Sequence, residues 1–131
     1  MRVLALGLLP CLMALSGCYY YVSNVPYYSV NVTTNAAPTP TYTGFQTTLS
    51  ANYVTENVAV YIVAHEWSMV TAAGPYILED NGFTGNLTVG VAGQYTLRYG
   101  TWYYTNYDYC CSATQYRESY VVITALVPPS G

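Results

Sequence analysis

His65 is the one histidine of the chain, and His65-Glu66-Trp67-Ser68-Met69 falls one ligand short of the HExxH zinc motif, because Met69 stands where the second imidazole belongs. That motif also needs a helix to put both imidazoles on one side, whereas this stretch sits among β-prone residues. His65 is therefore expected to be a polar or corner residue of the fold, with no metal. Glu79, Asp80, Asn81 and Asn86 could collect oxygen ligands for calcium, but carboxylates at ordered alternate positions are missing, and turn chemistry accounts for these residues more cheaply. No GxSxG elbow, phosphate-cradling loop or dinucleotide fingerprint occurs. The expectation is a non-enzymatic protein without cofactor.

Cys110 and Cys111 are adjacent, inside the tyrosine-rich stretch Thr101 to Cys111. Neighbouring cysteines can pair only through a strained eight-membered ring. Three states are open: a vicinal disulfide, disulfides to another chain, or free thiols. Around them Trp102, Tyr103, Tyr104, Tyr107 and Tyr109 form a candidate binding surface, since tyrosine offers large rigid area and a hydroxyl at small entropy cost.

The elements that must position these residues fit in one domain of 131 residues. Three arginines and no lysine stand against six acids, for a formal charge of -3, which all but removes the electrostatic footprint needed to hold nucleic-acid phosphates or an anionic lipid surface. At the N-terminus, Met1-Arg2 is followed by a nearly unbroken apolar run from Val3 to Leu15 and then by small residues, the layout of an export signal. As a helix this run would reach roughly 20 Å, short of a roughly 30 Å hydrocarbon core.

Leu15-Ser16-Gly17-Cys18 resembles the lipobox of bacterial lipoproteins. The resemblance implies a signal peptide over 1–17, cleavage before Cys18, and acyl chains such as palmitate on Cys18, the only attached group expected. Tyr19 stands where an aspartate would mark inner-membrane retention in that family, which implies the outer membrane.

Residues 18–41 hold Pro26, Pro38 and Pro40 and almost no charge, and read as an extended tether, with Tyr27 to Thr33 alternating well enough to form a first or edge strand. Tyr19, Tyr20, Tyr21, Tyr27 and Tyr28 suit the headgroup level of a membrane or contact with the domain itself. From 42 to 131 runs of Val, Thr, Tyr and Ile are broken by Gly, Asn and Pro every eight to twelve residues, the spacing of an all-β, antiparallel sandwich. Strands are expected at 42–50, 55–64, 66–72, 76–79, 84–91, 94–104 and 117–127. Val58 to Ala64 is apolar on both faces and is expected in the core; the same run would also permit strand addition. Asn81-Gly82 predicts a tight turn between locally paired strands.

Ala92-Gly93-Gln94-Tyr95-Thr96-Leu97 resembles the G-x-Y-x-(Cys or Leu) segment that opens strand F of immunoglobulin-like domains. The resemblance implies a corner hydrogen bond from Tyr95, a buried strand-C tryptophan at Trp67, and Leu97 in place of the second inter-sheet cysteine. The functional expectation is a membrane-anchored envelope lipoprotein that contacts another envelope protein or itself. The alternative is a carbohydrate-binding module using loop 100–115.

Overall fold

The computed structural model describes residues 25–108 and 114–130. Signal residues 1–17, Cys18, the tyrosines at 19–21, Tyr109, Cys110 and Cys111 lie outside the described residues. Eight strands follow in order: β1 (Ser29–Ala37), β2 (Thr41–Tyr42), β3 (Gln46–Glu56), β4 (Val60–Thr71), β5 (Gly74–Asp80), β6 (Thr84–Thr88), β7 (Gly93–Thr105) and β8 (Gln115–Leu126). They form a three-stranded sheet, β1-β3-β6, packed on a five-stranded sheet, β2-β8-β7-β4-β5. All pairings are antiparallel except the short parallel β2–β8 contact.

This strand order is that of an immunoglobulin-like sandwich: β1, β3 and β6 occupy the A, B and E places, and β4, β7 and β8 the C, F and G places. Tyr95 Oη donates to the Val91 carbonyl at 2.5 Å, the expected corner bond. Trp67 is fully buried against Tyr99, and Leu97 and Leu49 lie in the same cluster, so apolar packing between the sheets fills the space a disulfide fills in antibody domains.

The core changes character along the strands. Toward the β3 start, Leu49, Trp67, Leu87, Val89, Leu97, Ile123 and Ala125 make an apolar cluster. Toward the β3–β4 and β7–β8 connections it becomes aromatic and polar, where Tyr53, His65, Tyr99, Thr101 and Tyr103 share hydrogen bonds and ring contacts.

Four sequence expectations are corrected. The tether expected over 18–41 is strand from Ser29 onward: β1 pairs along its whole length with β3, from Ser29 opposite Glu56 to Ala37 opposite Thr48, so the domain starts before residue 42. The alternation at Tyr27 to Thr33 carried that information. The two strands expected at 55–64 and 66–72 are one, β4, which runs through His65 with a bulge between Ile62 and Ala64.

Val58 to Ala64 is not core: Tyr61, Ile62 and Val63 are exposed. The cause is the length of β5, which pairs with β4 only as far as Glu66, leaving the first half of β4 with β7 on one side and no strand on the other. Finally, Asn81 has the positive φ of 76° that a tight turn requires, yet the chain there crosses between sheets, from β5 to β6, and makes no local hairpin.

Candidate interaction surface

Successive residues of a strand point to opposite faces, which settles the fate of the near-zinc motif. His65 faces the core, where its Nδ1 lies 2.7 Å from Tyr99 Oη and its ring meets Phe83 edge-on. Glu66 faces outward and binds Arg98 at 3.0 Å. The imidazole and carboxylate cannot work on one atom. Burial lowers the His65 pKa, with hydrogen bonding to the Asn81 backbone opposing the shift. Burial pushes the Tyr99 phenol up to about 12, against a lowering from its bond with Thr101 and with a further rise from Tyr53. Both groups therefore stay neutral near pH 7. No group of three or more His, Cys, Asp or Glu side chains that could hold a metal ion occurs among the described residues. Of the calcium candidates, Glu79 and Asp80 are exposed while Asn86, on β6, accepts a hydrogen bond from Gln46 at 2.8 Å.

The expected aromatic loop is taken apart by the register of β7 and β8. Trp102 pairs with Tyr116 and Tyr103 with Gln115, so residues up to Thr105 are strand and only the connection beyond them is loop. Tyr103 is fully buried and belongs to the core, not to a binding surface. Tyr107 is half-buried, with its ring 5.2 Å from Tyr28 and its hydroxyl donating to the Asn57 carbonyl. Trp102 and Tyr104 do face outward, on the side of the five-stranded sheet away from the core.

That outer face gathers aromatic and charged side chains from β4, β7 and β8. The Trp102 and Tyr116 rings lie 4.8 Å apart, and the Tyr116 phenol covers Gly100 so closely that a Cβ there would run into it. Next along the strands, Arg98 bonds Glu66 and, through Nε, Ser68 at 3.2 Å. Tyr120 is exposed and donates to Glu118 at 2.8 Å, with exposed Val122 beyond it on the same face. Between Tyr120, Arg98, Val70 and Pro75 lies an open hollow of about 190 Å³. Toward the connection of β7 and β8, Tyr61 and Tyr104 stack at 5.2 Å.

Trp102 and Tyr104 are candidates from the sequence that lie on this face, whereas Tyr116, Tyr120 and Arg98 lie there without having been candidates. The alternation Tyr116, Glu118, Tyr120, Val122 on β8 was available, but its meeting with Trp102 depends on the hairpin register, which short-range signals do not fix. No family model and no curated protein matches the chain. Among the described residues no helix is long and apolar enough to cross a membrane.

Proposed function

We propose that the chain is an envelope lipoprotein, held in the outer membrane by lipid on Cys18, whose sandwich is a non-catalytic module that docks another envelope protein on the outer face of its five-stranded sheet. One observation carries the docking face: Trp102, Tyr116, Tyr120 and Arg98 share it, beside an open hollow and ringed by Glu66 and Glu118. Tryptophan, tyrosine and arginine are the residues that concentrate binding energy at protein interfaces, with charged groups at the rim. The anchor is supported by the lipobox and the apolar run before it.

Glycan binding is the weaker reading. A sugar platform wants rings laid flat on an open surface, whereas Trp102 is partly buried and tilted against Tyr116, and Tyr61 and Tyr104 each give one ring face to the other. The test is gentle detergent extraction after crosslinking in intact cells, with the acylated chain affinity-purified beside a Tyr120→Arg variant. A defined protein recovered with the parent chain and lost with the variant, at equal acylation and folding, is the expected result. An acylated chain recovered only as a free monomer would overturn the proposal.

A further inference from the structure

The end of the sandwich that carries the β3–β4 and β7–β8 connections is also the end at which the N-terminal segment enters. Asn57 Nδ2 donates to the Tyr27 carbonyl at 3.1 Å, and the Tyr28 ring lies against Tyr107. Asn106 ties the two connections together by bonds to Ala59, 2.8 Å from its side chain and 3.1 Å from its backbone N–H. If the chain is anchored at Cys18, the nine residues 18–26 can reach at most roughly 30 Å, the full stretch of their backbone. The strands themselves are longer: β7 has 13 residues, roughly 44 Å of extended chain. An anchor shorter than the domain, attached at one end of it, keeps that end beside the bilayer.

The same end has the surface such a position calls for. Tyr27 is 78% exposed, Tyr61 48%, Ile62 39%, Val63 51% and Tyr104 42%. They are apolar or aromatic, and Tyr61, Ile62 and Val63 lie on the part of β4 that β5 does not reach. No lysine exists to bind anionic headgroups. The Asp108 carboxylate is turned inward, accepting from the Thr105 backbone at 2.7 Å and from Gln115 at 2.9 Å. Glu56, opposite Ser29, is exposed at this end; the tyrosines and aliphatic residues beside it suit the boundary between headgroups and acyl chains, where an apolar ring is buried and its hydroxyl stays wet.

We infer that this end, through Tyr27, Tyr61, Ile62, Val63 and Tyr104, is a second membrane contact that seats the domain on the lipid surface and holds the long axis of the sandwich upright. The inference rests on the lipid-anchor reading. It leaves the outer face of the five-stranded sheet directed sideways, open to a neighbouring envelope protein. Because the contact is apolar, salt does not weaken it.

The test uses the full acylated chain in vesicles of phosphatidylethanolamine and phosphatidylglycerol containing lipids brominated near the headgroup end of the acyl chains. Tryptophan reporters are placed by Ile62→Trp and, separately, by Tyr27→Trp at this end, and by Phe45→Trp at the opposite end. Fluorescence is read relative to the parent chain, with Cys18 acylation checked by mass spectrometry and vesicle attachment by flotation. At least threefold stronger quenching at positions 62 and 27 than at 45, unchanged in high salt, is expected. Equal quenching at the two ends of a chain that is acylated and floats with vesicles would overturn the membrane contact and leave the anchor standing. An unmodified Cys18, or a chain that does not float, would remove the anchor and the contact together.

Discussion

Tyr95 holds the turn between β6 and β7 through one bond, from its hydroxyl to the Val91 carbonyl. Tyr95→Phe keeps the ring and removes the donor, so urea unfolding should show a loss of about 1 kcal/mol, the usual net worth of such a bond. An unchanged midpoint would deny the corner role. His65 makes a different prediction, in pH. Burial keeps its folded-state pKa below the ordinary value of 6.5, so the fold favours the neutral ring. Stability is then complete above about pH 7, falls as pH drops below about 6.5 because the unfolded chain takes up the proton first, and levels off once the folded state also titrates. The groups that meet the imidazole are Tyr99, Phe83 and the Asn81 backbone, and none supplies a negative charge to rescue the cation. Unfolding midpoints between pH 7 and 5 should decline in the parent and lose that part of the slope in His65→Gln.

At the scale of elements, the sequence was legible where a pattern is local and misleading where it depends on a neighbour. The Tyr95 corner bond and buried Trp67 sit where the resemblance to immunoglobulin-like domains implies, since each is carried by a short local segment. Val58 to Ala64 is apolar on both faces, which predicts core, yet its surroundings depend on how far β5 extends, which no residue in β4 specifies. The tyrosine-rich run over 100–115 reads as one loop with Tyr103 on its surface; the β7–β8 register makes Tyr103 strand and turns its ring inward. β1 resembles a tether in the sequence, since prolines flank it and only a short stretch alternates. Its place in the sheet yields a prediction. A chain beginning at Val25 should unfold cooperatively like the parent, whereas one beginning at Thr41 lacks β1 with buried Val30 and Ala36, exposes the edge of β3, and should show no cooperative transition in urea. Equal stability of the two would return β1 to the tether.

For the whole molecule, the arrangement divides the surface by task. The three-stranded sheet presents Thr48, Asn52 and Asn31 outward, while the five-stranded sheet presents the aromatic residues and arginine beside the hollow. A small acidic domain with its one described ion pair placed on that face has little long-range steering to offer, so recognition there rests on shape and aromatic contact. The proposed docking face is tested most directly by a photo-reactive amino acid incorporated at position 120 in living cells, with position 48, on the outside of the other sheet, as the control. Irradiation should join position 120 to one defined envelope protein and leave position 48 unlinked. Labelling that is equal at the two positions, or none at position 120 in acylated and folded protein, would contradict the account.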